Sequence, residues 1–124
     1  MRIYATTAHH GHHSLELNEG ELIQSWESPA RADIVDAELA ARGFADVRQP
    51  GDLDRALIEH VHASAYVDFL QTAHQRWVAD GNAGPCAMSN GWPARRMRHI
   101  RPEGIVAQLG YYSFAADCSI AANT

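Results

Sequence analysis

A chain of 124 residues makes one domain or part of one, and 46% apolar against 20% charged residues excludes a disordered chain and allows a modest core. Ten Arg and no Lys stand against fifteen acidic residues, and the resulting net charge of −5 argues against nucleic acid and anionic membranes as partners of the whole molecule. Two cysteines, Cys86 and Cys118, lack CxxC spacing, no apolar run reaches the length of a membrane span, and the first residues hold no signal-peptide core, so a reducing cytoplasm is the expected setting.

Arg2 to Thr6 has the β-type pattern of a short buried strand. Thr7 to Ser28 shows little periodicity and reads as a long loop, a length that in a compact domain marks a functional or mobile segment. Ser28 and Pro29 then open a helix whose stripe is Ala32, Ile34, Val35 and Leu39, and Gly43 closes it. Ala45 to Gln49 suits a second short strand, and Asp52 caps a helix carrying Leu53, Ala56, Leu57 and Val61.

The next helix is the one around which the chain is organised. Ser64 is its expected cap, and Tyr66, Phe69, Leu70, Ala73 and Trp77 recur at three- and four-residue steps along one face, with Gly81 as a left-handed stop. So much aromatic surface on one face needs a packing partner. Asn82 to Gly104, rich in Gly, Pro and Arg and without steady period, reads as an extended insertion, and Ile105 to Thr124 as a strand-like segment or a short helix. Strand, helix, strand, helix is the order of an α/β domain with a parallel sheet. Two short strands make a poor sheet, so the chain reads as the first part of a larger α/β domain.

Candidate chemistry starts with His9, His10, His12 and His13 around Gly11. Two or three imidazoles on such a flexible tract can meet one Zn²⁺, Ni²⁺ or Cu²⁺ ion, although without CxxC or HxxxH company a solvated loop is the favoured reading. Arg95, Arg96, Arg98 and Arg101 beside Trp92 could bind phosphate or stack on bases. The acidic total favours instead carboxylate pairing at a subunit contact. Glu16, Glu19, Glu21 and Glu27 could attract a cation or simply solvate their loop. No GxSxG, phosphate loop or HExxH is present, and Cys86 has no identifiable base, so it reads as a bystander thiol.

Four stretches in order and at nearly constant spacing carry a family likeness: RIYAT, ELNEGELIQSWESPARAD, VHASAYVDFLQTAHQRW, and WPARRMR followed by AQLGYYSFAAD. Together they resemble the N-terminal third of the histone deacetylase superfamily, nearest the bacterial acetylpolyamine amidohydrolases. The resemblance implies a single partial domain over residues 1–124, the N-terminal part of an arginase/deacetylase-type three-layer α/β fold with a parallel sheet. It implies a deacetylase in which Zn²⁺, held by two Asp and one His, polarises the acetyl carbonyl and activates water. Those ligands and the catalytic His pair and Tyr lie downstream in the family, so no metal ligand or catalytic residue is expected in this segment, and alone it should be inactive.

Some roles implied by the resemblance fall inside the chain. Arg31 matches the Arg that lines an internal product channel, where a buried guanidinium suits acetate; a salt bridge to Glu27 or Asp33 is the equal alternative. Glu16 matches an acidic residue beside the tunnel mouth, and Asp117 a position that is acidic in some polyamine-acting members. Tyr112 stands where histone-acting members carry an Asp, which argues against protein substrates, whereas Val106 stands where some members place a second Glu. The expected substrate is a small cationic acetylated amine, and residues 82–104 match a segment that forms a homodimer contact. The alternative is a free-standing binding or dimerisation module derived from the enzyme.

Overall fold

The computed structural model describes residues 2–94, 96 and 100–122. Its first unit is the expected parallel one. β1 (Ile3–Tyr4) lies parallel to β4 (Val47–Arg48) in the register Ile3 to Val47 and Tyr4 to Arg48, and α1 (Pro29–Ala41) falls between them in sequence. A parallel pair requires a crossover, and α1 is its helix. Ser28 occupies the cap position in extended backbone, Pro29 opens the first turn, and Gly43 at φ 79° closes the helix as expected. The pair is shorter than the sequence pattern suggests, and β1 is not a buried strand: Tyr4 is 60% exposed.

Residues 7–28 correct the expectation of an aperiodic loop. They hold a 3-10 turn (Ala8–Gly11) and an antiparallel hairpin of β2 (Leu15–Asn18) and β3 (Glu21–Gln24), registered Asn18 to Glu21 through Leu15 to Gln24. A two-residue turn joins the strands, with Glu19 at φ 50° and Gly20 at φ 90°. Both central residues of such a turn need positive φ, which Gly meets freely and Glu only at a cost. Glu-Gly is a weaker signature than Asn-Gly, which is why the hairpin was not legible.

α2 (Arg55–Glu59) is capped by Asp54, whose carboxylate accepts from the Ala56 N–H at 2.9 Å, and not by Asp52. Arg55 joins it to α3 (Ser64–Ala79) by donating to Glu59 and Asp68, each at 2.6 Å. In α3 the cap position belongs to Ala63, one residue before the expected Ser64, while Gly81 at φ 84° follows the helix end as anticipated. The aromatic face is the core: Phe69, Ala73 and Trp77 are buried with Ala87, Ile105, Leu109 and Ile120, and Tyr66, Leu70, Val106 and Tyr112 pack around them.

The partners of that face come from the C-terminal third. α4 (Ile105–Tyr112) resolves the open choice there in favour of a helix, followed by a strand, β6 (Ile120–Ala121), antiparallel to β5 (Cys86–Ala87) inside the insertion. Cys86 is buried in this pair. A buried amide fixes α4 against α3: Gln108 accepts from Arg76 at 2.8 Å and donates to the Pro102 and Glu103 carbonyls at 2.7 and 3.2 Å. A polar group this far from water is tolerated because both ends of the amide are satisfied. Arg95, Arg98 and His99 of the basic cluster lie outside the described residues.

The core is one-sided. α1 has no buried residue, and Ile34, Val35, Leu57 and Val61 are 69%, 55%, 63% and 81% exposed. The accessible surface is 9093 Å², where a compact monomer of this mass exposes about 6,600 Å². Of the α1 stripe, Ala32 and Leu39 are half-buried while Ile34 and Val35 stand in solvent.

Two substitutions one residue apart should separate burial from close approach. Leu109→Ala should lower unfolding free energy by about 2–5 kcal/mol through lost contacts and a cavity. Gly110→Ala, ordinarily favourable in a helix, should destabilise by roughly 1–3 kcal/mol, because a Cβ there would sit 1.9 Å from the Gly91 carbonyl oxygen. Urea unfolding followed by circular dichroism measures both; a stabilised Gly110→Ala variant would contradict the packing of residues 89–91 on α4.

Candidate functional site

The residues singled out by the resemblance do not converge. Glu16, on β2, is half-buried and accepts weakly from the Ser25 hydroxyl at 3.4 Å. Arg31, in the first turn of α1, pairs with Glu27 across one helical turn, and its side chain is 60% exposed. The ion pair is with Glu27 rather than Asp33, and the guanidinium is exposed. Tyr112, at the end of α4, stacks on Phe69 at 4.5 Å between ring centroids, with the Arg101 guanidinium 6.0 Å above its ring. Asp117 is exposed beside Cys118, whose thiol lies 3.9 Å from the carboxylate. No cavity described is lined by more than one of these four residues.

Two places do gather chemical groups. One is an aromatic cleft of about 220 Å³ between α3 and the segment after α4, lined by Tyr66, Phe69, Tyr112, Phe114, Cys118 and Ser119 among others. The hydroxyls of Tyr112 and Ser119 are buried there without a hydrogen-bond partner. Buried unpaired hydroxyls are costly, so this cleft is the place in the core where an added polar group would be welcome.

The other is where the 3-10 turn meets α1. Asp33 on α1 accepts from His10 Nε2 at 2.8 Å and faces His9 Nε2 at 3.5 Å, the two imidazole centroids being 4.2 Å apart. The His9 ring is held from behind, its Nδ1 donating to the Thr6 carbonyl at 2.5 Å. Of the four-His tract, His9 and His10 meet Asp33, and His12 and His13 are not part of this group. The hydrogen bond from His10 and then the contact with the His9 ring hold the Asp33 carboxyl below its ordinary value of 3.8. The sequence showed the histidines, but their acidic partner sits 23 residues from His10 and bore no local mark.

The donor set required by the resemblance is absent from this group. Deacetylases of that type hold Zn²⁺ with two Asp and one His, whereas the one grouping of His, Cys, Asp and Glu close enough to share an ion, among the described residues, is two His and one Asp. No step of amide hydrolysis is therefore derived from it. Among the described residues no helix is long and apolar enough to cross a membrane.

In fold, the chain is an α/β segment built like part of an aminohydrolase: it superimposes over its full length on 36% of an acetylpolyamine aminohydrolase from Burkholderia pseudomallei, at TM-score 0.86 and 30% identity. In sequence it is 41% identical over 116 residues to acetylpolyamine amidohydrolase 2 of Pseudomonas aeruginosa, and 38% identical over 109 residues to the acetylpolyamine amidohydrolase of Mycoplana ramosa. Those alignments cover 94% and 88% of this chain but 33% and 32% of the relatives. The chain is thus similar over most of its length to bacterial acetylpolyamine amidohydrolases, and it spans about a third of the length of the curated relatives it matches. No family model matches it.

The Asp33 contacts carry a pH dependence whose sign follows from the depressed carboxyl. Such a group stabilises the folded state above the unfolded value of 3.8 and loses that contribution as pH falls through its lower folded value. The tie between the 3-10 turn and α1 should therefore persist to pH below the ordinary Asp range. A carboxyl-carbon NMR titration in chelator-treated buffer should place Asp33 below free aspartate, and a midpoint at or above 3.8 would contradict the contacts with His9 and His10.

Proposed function

We propose that this chain is the N-terminal segment of a zinc-dependent amidohydrolase that removes acetyl groups from acetylated polyamines or similar small cationic amines. The observation that carries the reading is the near-complete alignment of the chain, at 41% identity, with part of an acetylpolyamine amidohydrolase. The likeness in fold to an acetylpolyamine aminohydrolase, at TM-score 0.86, supports it. In this reading residues 1–124 are a single partial domain, the zinc ligands come from beyond residue 124, and the isolated chain is inactive. The setting is cytoplasmic.

Within that reading Glu16 and Asp117 supply negative charge near the substrate entrance, where a multiply cationic amine gains from each anion. Tyr112 gives the entrance a stacking wall rather than a backbone-gripping carboxylate, which favours small substrates over proteins. Arg31 faces the product route, and its pairing with Glu27 keeps the guanidinium in place until a carboxylate competes for it. The insertion at 82–104 forms the homodimer contact.

A second reading, a free-standing binding or dimerisation module, is favoured by one observation: the accessible surface of 9093 Å² far exceeds that of a compact monomer. The two readings part on activity. Grafted in place of the matching third of the Pseudomonas enzyme, this chain should give a soluble chimaera that hydrolyses acetylated polyamines, while the 124-residue chain alone shows no hydrolysis above a metal-only control. A folded but inactive chimaera, or hydrolysis by the isolated chain, would overturn the first reading. In an active chimaera Asp117→Asn should raise KM for a cationic acetylated amine up to about fivefold, the scale of an exposed ion pair, with kcat little changed. An equal loss with a neutral acetylated amide would remove the electrostatic role.

A further inference from the structure

We propose that His9, His10 and Asp33 form a binding site for a borderline divalent transition ion, with Zn²⁺ the best fit. The inference does not rest on the deacetylase reading; it comes from how a turn and a helix, far apart in sequence, present their donors to one point.

The ligating atoms of all three residues lie within 4.8 Å of one another. Two imidazoles and one carboxylate are the mixed nitrogen and oxygen donors that borderline ions prefer over Mg²⁺ or Ca²⁺, which favour all-oxygen sites. Three protein ligands also leave a fourth tetrahedral position for water.

The second element is the tautomer of His9. A carbonyl oxygen can only accept, so the 2.5 Å contact of Nδ1 with the Thr6 carbonyl places the ring hydrogen on Nδ1. In the neutral ring Nε2 then carries a lone pair and faces Asp33 Oδ1 at 3.5 Å. Two lone-pair atoms meeting at that distance make a poor pair by themselves and a good pair around a cation. With bonds of about 2.0–2.1 Å, the edge of a tetrahedral site is about 3.3 Å long, close to the observed separation. A backbone carbonyl behind an imidazole is also the arrangement that fixes the orientation of metal-ligating histidines.

His10 supplies the movable ligand. Its Nε2 donates to Asp33 Oδ1 at 2.8 Å, so binding requires that hydrogen to shift to the other ring nitrogen and the contact to open by about half an ångström toward the same tetrahedral edge. The ring is 53% exposed and Asp33 54%, so neither is locked by packing and an ion reaches the site directly from solvent. His9 is the anchored member, its side chain 23% exposed. The 3-10 turn over Ala8–Gly11 holds the two rings adjacent, and α1 fixes Asp33 beneath them.

Calorimetric titration of the chelator-stripped chain with ZnCl2 tests the site, with the visible spectrum of Co²⁺ as a second report on ligand type. One equivalent should bind, with Asp33→Asn and His10→Ala each weakening affinity at least about tenfold, while His13→Ala leaves it unchanged. The Cε1 proton resonances of His9 and His10 should respond to the first equivalent in the unmodified chain, a readout independent of how the variants fold. Absence of one-equivalent binding would overturn the proposal. So would loss of binding in His12→Ala or His13→Ala with retention in Asp33→Asn, which would assign the ion to the flexible tract.

Discussion

The packing of one aromatic helix face holds this structure together. Phe69, Ala73 and Trp77 of α3 are inaccessible to water only because Leu109 and Ile105 of α4 and the β5–β6 pair close over them. Each of these elements is too short to persist alone: α4 has eight residues and the β5–β6 pair two residues a strand. Their stability is that of the shared core, and the buried Gln108 amide sets the one orientation in which Arg76 and two loop carbonyls are all satisfied. Gly110 lets the 89–91 turn approach α4 at a distance that no side chain would permit.

The β1, α1, β4 unit obeys a different constraint. A parallel strand pair is normally buried on both faces, and a pair two residues long with Val47 half-exposed is far from that condition. Its crossover helix presents Ile34 and Val35 to solvent. The chain spans about a third of the length of its curated relatives, and its short parallel pair and crossover helix leave apolar side chains open to solvent.

Charge follows the same division. Around α2 and α3, Arg55 joins two helices through Glu59 and Asp68, a network of surface ion pairs that orients more than it stabilises. Around α1, Asp33 gathers two histidines, and Arg31 two residues before it pairs with Glu27. The resemblance ranked Arg31 above Asp33, whereas the geometry gives Asp33 the richer set of partners.

Much of this was written locally. The limits of α1, the phase of the α3 face, the left-handed stops at Gly43 and Gly81 and the parallel β-α-β order rest on steric and periodic rules that act within a few residues. The shift of one cap to Asp54 is a choice among nearby polar residues that propensity leaves nearly balanced. The hairpin escaped because its turn uses Glu19 at positive φ, a conformation that the cross-strand pairing imposes on a residue that would not choose it. The pairing of β5 with β6, the Gln108 node and the meeting of His9, His10 and Asp33 join residues tens of positions apart. Only the tertiary structure could decide them, because contacts across such separations come from the packed geometry of several elements and leave no period or spacing in any one of them.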